Sequence, residues 1–249
     1  MRAGGKRRPV IPQVVATTQA WAEGTEPAVL GTMSKCRRNL LSTDFYQNLR
    51  VAWDKYSHKV EQIVCYGIGS LSTSPSASMW QLACVLTIQE MLQGDGNIPL
   101  FFYDPCTTPF EASVLQSEWK IQVLSRNERG KRPVNGLTTL FFMPHCPLRL
   151  YDNVLWANWN ALEKVILFGN SLLAYSERSI EKLPMGISRL LPLLTEERVH
   201  LPKCDIKQAD GNLEGAFNDC YLTCFSVNEE TVLPPQPVEN LHDNNDEVI

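Results

Sequence analysis

A Rossmann-like, doubly wound α/β fold is predicted for this 249-residue sequence, with a mainly parallel sheet of five or more strands and helices on both faces. Three observations carry that expectation. Short apolar runs rich in β-branched and aromatic residues recur along residues 60–195, each closed by Gly, Pro or Asp. Stretches with helical spacing of apolar residues separate them. The strand runs are continuously apolar rather than alternating, as in a parallel sheet covered on both faces, and right-handed crossovers then favour double winding.

Residues 1–41 mix Gly, Pro, Thr and scattered basic residues without periodicity and read as a flexible N-terminal arm. Its Lys6-Arg7-Arg8-Pro9 cluster is a solvated patch or a weak nuclear address. Ser42-Thr43-Asp44 caps a leading helix carrying Phe45, Leu49, Ala52, Trp53 and Tyr56. A first strand over 62–67 runs into the turn Gly67-Ile68-Gly69-Ser70. Ser74-Pro75 then opens a helix, apolar nearly all round, that continues to Leu92. The grammar repeats: a strand over 99–103 stopped by Asp104-Pro105, a helix over 109–118, a strand over 120–125, and a loop over 127–131. A fourth strand over 138–143 is closed by Pro144, a helix covers 148–159, and a fifth strand over 164–169 meets Asn170-Ser171. Beyond it the pattern predicts a short helix over 187–194, a strand over 198–201, and an edge strand or hairpin arm over 216–227. Residues 42–227 thus read as one α/β domain with a leading helix. Residues 228–249 hold six acids and no Lys or Arg, and read as an acidic disordered tail.

Composition narrows the function. With 44% hydrophobic and 20% charged residues the chain is that of an ordinary globular protein. A formal charge of −4 removes the basic excess that coats duplex nucleic acid. Eight Cys are dispersed, several inside apolar runs, which fits buried thiols in a reducing compartment. No stretch approaches the ~18 apolar residues of a membrane span, and no apolar core follows Lys6-Arg7-Arg8. A cytoplasmic or nuclear location and no membrane partner are therefore expected. Neither a GxxxxGK[ST] phosphate loop nor a GxSxG nucleophile elbow occurs.

In an open parallel sheet a ligand lies outside the carboxyl ends of the strands, so candidate residues are those in the following turns. They are Gly67, Gly69 and Ser70 after the first strand, Asp104 after the second, Glu128 and Lys131 after the third, His145 and Cys146 after the fourth, and Asn170 and Ser171 after the fifth. Gly67-x-Gly69 either lets backbone approach a phosphate at a helix N-terminus or only permits a tight turn. The third position of GxGxxG is Ser72, and Asp104 lies 37 residues after Gly67, away from the spacing of about 20 expected of a dinucleotide's ribose acid. Asp104 also suits adenosine ribose recognition in S-adenosylmethionine methyltransferases, which resemble this topology. There the fourth strand often carries Asn/Asp-Pro-Pro-aromatic, where this chain has Met143-Pro144-His145-Cys146. His145 is the candidate acid or base, or else a buried polar anchor, and adjacent His145 and Cys146 point apart. Cys146-Pro147 is a dipeptide used elsewhere for thiolate haem ligation, and here a weak haem-ligand candidate. Without a CxxC or HxxxH pair no metal centre is expected. Cys220 and Cys224 share a strand face yet stand too far apart to bind one ion. Trp156 and Trp159 are expected to pack on the sheet.

These motifs, taken in order, resemble one family. Cys65-Tyr-Gly-Ile-Gly-Ser-Leu-Ser72, Tyr103-Asp-Pro105, Asn127-Glu-Arg-Gly-Lys131, Met143-Pro-His-Cys146, Leu155-Trp-Ala-Asn158 and Gly169-Asn-Ser171 look like the sensitivity to red light reduced (SRR) domain, over about residues 60–190. The resemblance implies a regulator of circadian clock gene expression and light-input signalling, with a link to haem biosynthesis. It carries over no catalytic residues. The leading expectation is a regulatory protein with unidentified protein partners that binds a nucleotide-like ligand or haem at the strand C-terminal ends. The alternative is an S-adenosylmethionine- or dinucleotide-dependent enzyme using Gly67, Gly69 and Asp104 for the cofactor and His145 as acid or base.

Overall fold

A computed structural model of the chain describes residues 26–54, 60–71, 76–93, 97–178, 183–198, 213–227 and 232–236. Two helices lead, α1 (Glu26–Leu41) and α2 (Asp44–Asp54). Helix α1 occupies part of the stretch expected to be a flexible arm. Its weak periodicity hides a real inner face, where Val29, Met33, Cys36 and Leu40 are buried. Residues 1–25, including the basic cluster, lie outside the described residues. Thr43 caps α2 as expected, its Oγ1 accepting the Tyr46 N–H at 3.2 Å.

The sheet then builds through β1 (Gln62–Tyr66), α3 (Ala77–Gln93), β2 (Leu100–Tyr103), α4 (Pro109–Trp119), β3 (Gln122–Val123), β4 (Thr139–Met143), α5 (Leu148–Ala157), a 3-10 turn (Trp159–Lys164) and β5 (Val165–Asn170). The strands and α-helices among these match the expected ones, though the 3-10 turn was not expected, β3 is shorter than predicted and the cap at Ser74-Pro75 lies outside the described residues. After β5 come α6 (Leu172–Arg178), α7 (Met185–Leu190), a 3-10 turn (Leu191–Leu193), β6 (Leu194–Arg198), α8 (Leu213–Phe217) and β7 (Cys220–Phe225).

The described residues form a seven-stranded, mostly parallel sheet in the order β3-β2-β1-β4-β5-β7-β6. Strands β1 to β5 pair in parallel, and β7 runs antiparallel to both β5 and β6. Two expectations are corrected here. The segment over 216–227, expected as an edge strand or hairpin arm, is split: Ala216 and Phe217 end α8, and after a turn with Asp219 at φ +57° β7 lies inside the sheet, between β5 and β6. The predicted strand over 198–201 is Leu194–Arg198, starting as soon as the 3-10 turn ends, and residues 199–201 lie outside the described residues.

Alternate residues of each strand enter opposite cores. Ile63, Cys65, Phe102, Leu140, Phe142 and Phe168 join a core built with α1, α2, α3, α4 and α8. Val64, Tyr66, Phe141, Met143 and Leu167 join another built with α5, α6 and α7. Every residue of β1 and β4 is buried, which explains their unbroken apolar character. Phe168 of β5 stacks on Phe142 of β4 at 4.8 Å and meets Phe217 of α8 edge-on at 6.4 Å. Phe217 in turn stacks on Phe45 of α2 at 4.7 Å, so aromatic contacts fix α8 beside the carboxyl end of β5. No described helix is long and apolar enough to cross a membrane.

Candidate functional site

The turns that follow the parallel strands gather at two corners. At the first, β1 ends in Gly67 and Gly69, whose φ angles are +67° and +87°. A side chain at Gly67 is excluded twice, by that backbone and by Cys146 Sγ, which lies 2.5 Å from where a Cβ would stand. The Gly69 N–H does not point to an open anion site: it donates to Asp104 Oδ2 at 2.7 Å, while the Cys106 N–H donates to Asp104 Oδ1 at 2.7 Å. Asp104 is 8% exposed, and its carboxylate staples the β1 turn to the β2 turn. Ser70 is likewise engaged, its hydroxyl donating to Glu111 Oε1 at 2.8 Å.

Glu111 escaped the sequence reading, although Thr108-Pro109-x-Glu111 is a capping-box pattern that signals it. The side chain is 1% exposed. It accepts the Leu71 N–H at 2.6 Å and the Thr108 N–H at 2.6 Å, while Thr108 Oγ1 accepts the Glu111 N–H. One buried carboxylate thus caps α4 and pins the end of the glycine turn.

Cys146 belongs to this closed corner. Its thiol is 3% exposed and donates to the Tyr66 carbonyl at 3.4 Å. Burial pushes its pKa well up, and the negative charge of Asp104 adds to this, so the sulfur stays a thiol. Haem ligation needs an exposed thiolate facing an open plane, and the donor set around Cys146 does not fit it. Tyr66 points to the other face, where its hydroxyl donates to Glu128 Oε2 at 3.1 Å and Glu128 pairs with Arg132. Burial first, then the Glu128 charge, raises the Tyr66 pKa. Lys131 lies over the Trp156 ring rather than at the strand ends.

The second corner is open. His145 sits in a left-handed turn at φ +57° after β4, and its backbone N–H donates to Asn170 Oδ1 at 2.9 Å. Its Nε2 lies 3.1 Å from the Ala216 carbonyl. A carbonyl only accepts, so Nε2 is the donor of this contact, and Nδ1 is the ring nitrogen it leaves unused. Asn170 Nδ2 donates to the Tyr175 hydroxyl at 2.9 Å. The Asn170 N–H donates to the Tyr151 hydroxyl at 2.9 Å, and that hydroxyl donates to the Met143 carbonyl. Tyr151 reaches this place because residue 169 is glycine: a Cβ there would stand 2.3 Å from its oxygen. Ser171 Oγ accepts the Ala174 N–H at 2.8 Å and starts α6. His145, Asn170, Ser171, Tyr175, Asn218 and Asp219 line a cleft of about 200 Å³. Tyr175, Asn218 and Asp219 were not foreseen, because α6 and the turn before β7 were not.

The structure therefore brings Gly67 to Cys146, Gly69 to Asp104, and His145 to Asn170 and Ser171. Among the described residues no group of three His, Cys, Asp or Glu is placed to hold a metal ion.

Comparison with known proteins agrees with the family resemblance. The SRR1 domain model matches residues 36–224. An SRR1-like protein of Mus musculus is 43% identical over 122 residues, 48% of this chain and 48% of its own length. The Arabidopsis thaliana protein SENSITIVITY TO RED LIGHT REDUCED 1 is 41% identical over 175 residues, 70% of this chain and 62% of its own. An SRR1-like protein of Drosophila melanogaster is 28% identical over 192 residues, 76% of this chain and 59% of its own. The chain thus spans between 48% and 62% of the length of these relatives. No solved structure matches. With the family model covering most of the chain, this protein belongs to the SRR1 domain family.

Proposed function

We propose that this protein is a regulator in circadian and light-input signalling, and that it binds a small, polar, nucleotide-like ligand in the cleft between the β4 and β5 turns. The observation that carries the ligand reading is the convergence of His145, Asn170, Ser171 and Tyr175 on one cleft beside strand carboxyl ends. The signalling reading is supported by family membership and by the red-light name of the Arabidopsis relative. In this reading the sheet is Rossmann-like and doubly wound. Its order β3-β2-β1-β4-β5 follows the 3-2-1-4-5 order of dinucleotide-binding sheets, and helices cover both faces. His145 Nδ1, the Asn170 amide and the hydroxyls of Ser171 and Tyr175 supply donors and acceptors for a ligand's polar edge, and no reaction is required of them. Protein partners then respond to the liganded state, in a cytoplasmic or nuclear setting.

The strand order favours one second reading, an S-adenosylmethionine-dependent enzyme. Methyltransferases of that type resemble this topology, and Asp104 directly follows β2. Calorimetry and thermal shift with S-adenosylmethionine, NAD(P), ATP and haem separate the two readings. Binding of a nucleotide-like member without turnover supports the regulator. Methyl transfer from S-adenosylmethionine, lost in Asp104→Ala, supports the enzyme, and failure of every member to bind removes the ligand from both.

A further inference from the structure

Far along the chain from the candidate cleft, a short proline segment lies against two tryptophans. Residues 232–236 read Val-Leu-Pro-Pro-Gln and carry no regular secondary structure. Pro fixes its own φ near −65° and pushes the preceding residue toward extended backbone, so the sequence Leu233-Pro234-Pro235 favours a polyproline-like conformation. Leu233 packs on the core beneath α5 and α7, whereas Val232 is 92% exposed.

The contacts made by this segment read its backbone. Trp159 Nε1 donates to the Pro234 carbonyl at 3.0 Å, and the Arg189 guanidinium donates to the Pro235 carbonyl. Gln236 Nε2 donates back to the Trp156 carbonyl at 2.8 Å. Proline lacks an N–H, so its exposed carbonyls are the polar handles left for a partner, and aromatic and guanidinium donors are what read them in proline-recognition grooves. The groove is not filled by the segment. A cleft of about 320 Å³ lined by Pro133, Trp156, Trp159 and Gln236 stays open beside it. Lys131 Nζ lies 5.7 Å from the centroid of the Trp156 ring.

We propose that the groove formed by Trp156, Trp159 and Arg189 is a docking site for a proline-rich, extended segment of a partner protein, occupied in cis by Leu233–Gln236 when no partner is bound. The internal segment acts as a competitor: tethering gives it an effective concentration of about millimolar order, so an incoming ligand sees only the fraction of molecules with the groove open. Docking at this place also reaches α5 and α7 through Trp156 and Arg189.

The test uses the full chain and a fluorescent peptide with the sequence of residues 232–237, read by anisotropy. The chain carrying Pro234→Gly and Pro235→Gly is expected to bind the peptide about tenfold tighter than the native chain, because the cis competitor is gone. Adding Arg189→Gln to that chain weakens binding again, and a peptide with both prolines replaced by alanine does not bind. A second variant, Gln236→Ala, removes the segment's own bond to the Trp156 carbonyl while leaving Trp159 and Arg189 in place, and raises peptide affinity in the same direction. The proposal fails if these variants, folded by circular dichroism, gain no affinity for the peptide or bind the alanine peptide equally. It also fails if light scattering shows a native dimer that Pro234→Gly with Pro235→Gly dissociates, since the occupant is then a second copy.

Discussion

Two corners of one sheet treat their polar residues in opposite ways. At the β1–β2 corner, Asp104 and Glu111 are buried and accept backbone amides and a hydroxyl from the glycine turn and the start of α4, so their charge is satisfied internally. At the β4–β5 corner, His145, Asn170 and Ser171 also bond to the protein, but around a cleft that stays open. The sequence features that look most like a ligand motif, two glycines and an acid, serve the closed corner. The less conspicuous Asn-Ser pair serves the open one. A carboxylate that gathers amide donors holds a turn in place, and it takes those donors away from any incoming phosphate.

This contrast breaks most easily at Glu111. Glu111→Ala leaves the buried Leu71 amide and the half-buried Thr108 amide without their acceptor, and an expected loss of about 3 kcal/mol shows in urea unfolding. A loss below 1 kcal/mol, on the order of an exposed pair, contradicts a closed corner. Next in size, Gly67→Ala puts a Cβ against Cys146 Sγ at positive φ and is expected to cost about 2 kcal/mol. A double-mutant cycle with Cys146→Ala is expected to return part of that cost, because the clash is removed while the φ strain remains. Additive costs break the proposed contact.

The smallest effect sharpens the open side, which rests on α5. Asp152 of α5 accepts the Ile187 N–H at 3.1 Å, and burial raises its carboxyl pKa above the usual 3.8 even though that amide, Arg149 and the Gly186 N–H oppose the shift. A raised folded pKa means that the protonated form favours the native state. Its stabilising share is therefore complete below the unfolded pKa and is lost as pH rises through the folded value. Asp152→Asn is expected to flatten this decline of stability on the alkaline side of 3.8, by a few tenths of a kcal/mol. An unchanged pH profile contradicts the assignment.

Much of this was legible because strong local patterns coincided with tertiary burial. Continuous runs such as Ile63-Val64-Cys65 and Leu140-Phe141-Phe142 are buried on both sheet faces and could not be mistaken for amphipathic strands. Helix α1 was hidden because its inner face is narrow and the exposed residues between its members, among them Gly31, Ser34 and Lys35, are small or polar. Helix α8 was hidden because five residues set no period, and its place depends on Phe217 meeting Phe168 from far away in sequence. For the site, Gly67, Gly69, Asp104, His145 and Ser171 do follow their strands, since strand ends follow from apolar runs, whereas Asn170 is the last residue of β5. Which of them would be tied up internally depends on side chains such as Glu111 and Tyr151 reaching from helices, and strand pattern alone does not report that.

The most direct measurement is the thermal stabilisation given by whichever panel ligand binds, compared across the native chain, Asn170→Ala and Asp104→Asn. The expected result is stabilisation kept in Asp104→Asn, which has the same shape, and lost in Asn170→Ala, whose amide joins His145 to Tyr175 at the cleft. Stabilisation that survives Asn170→Ala and disappears in Asp104→Asn places the ligand at the β1–β2 corner and contradicts the account.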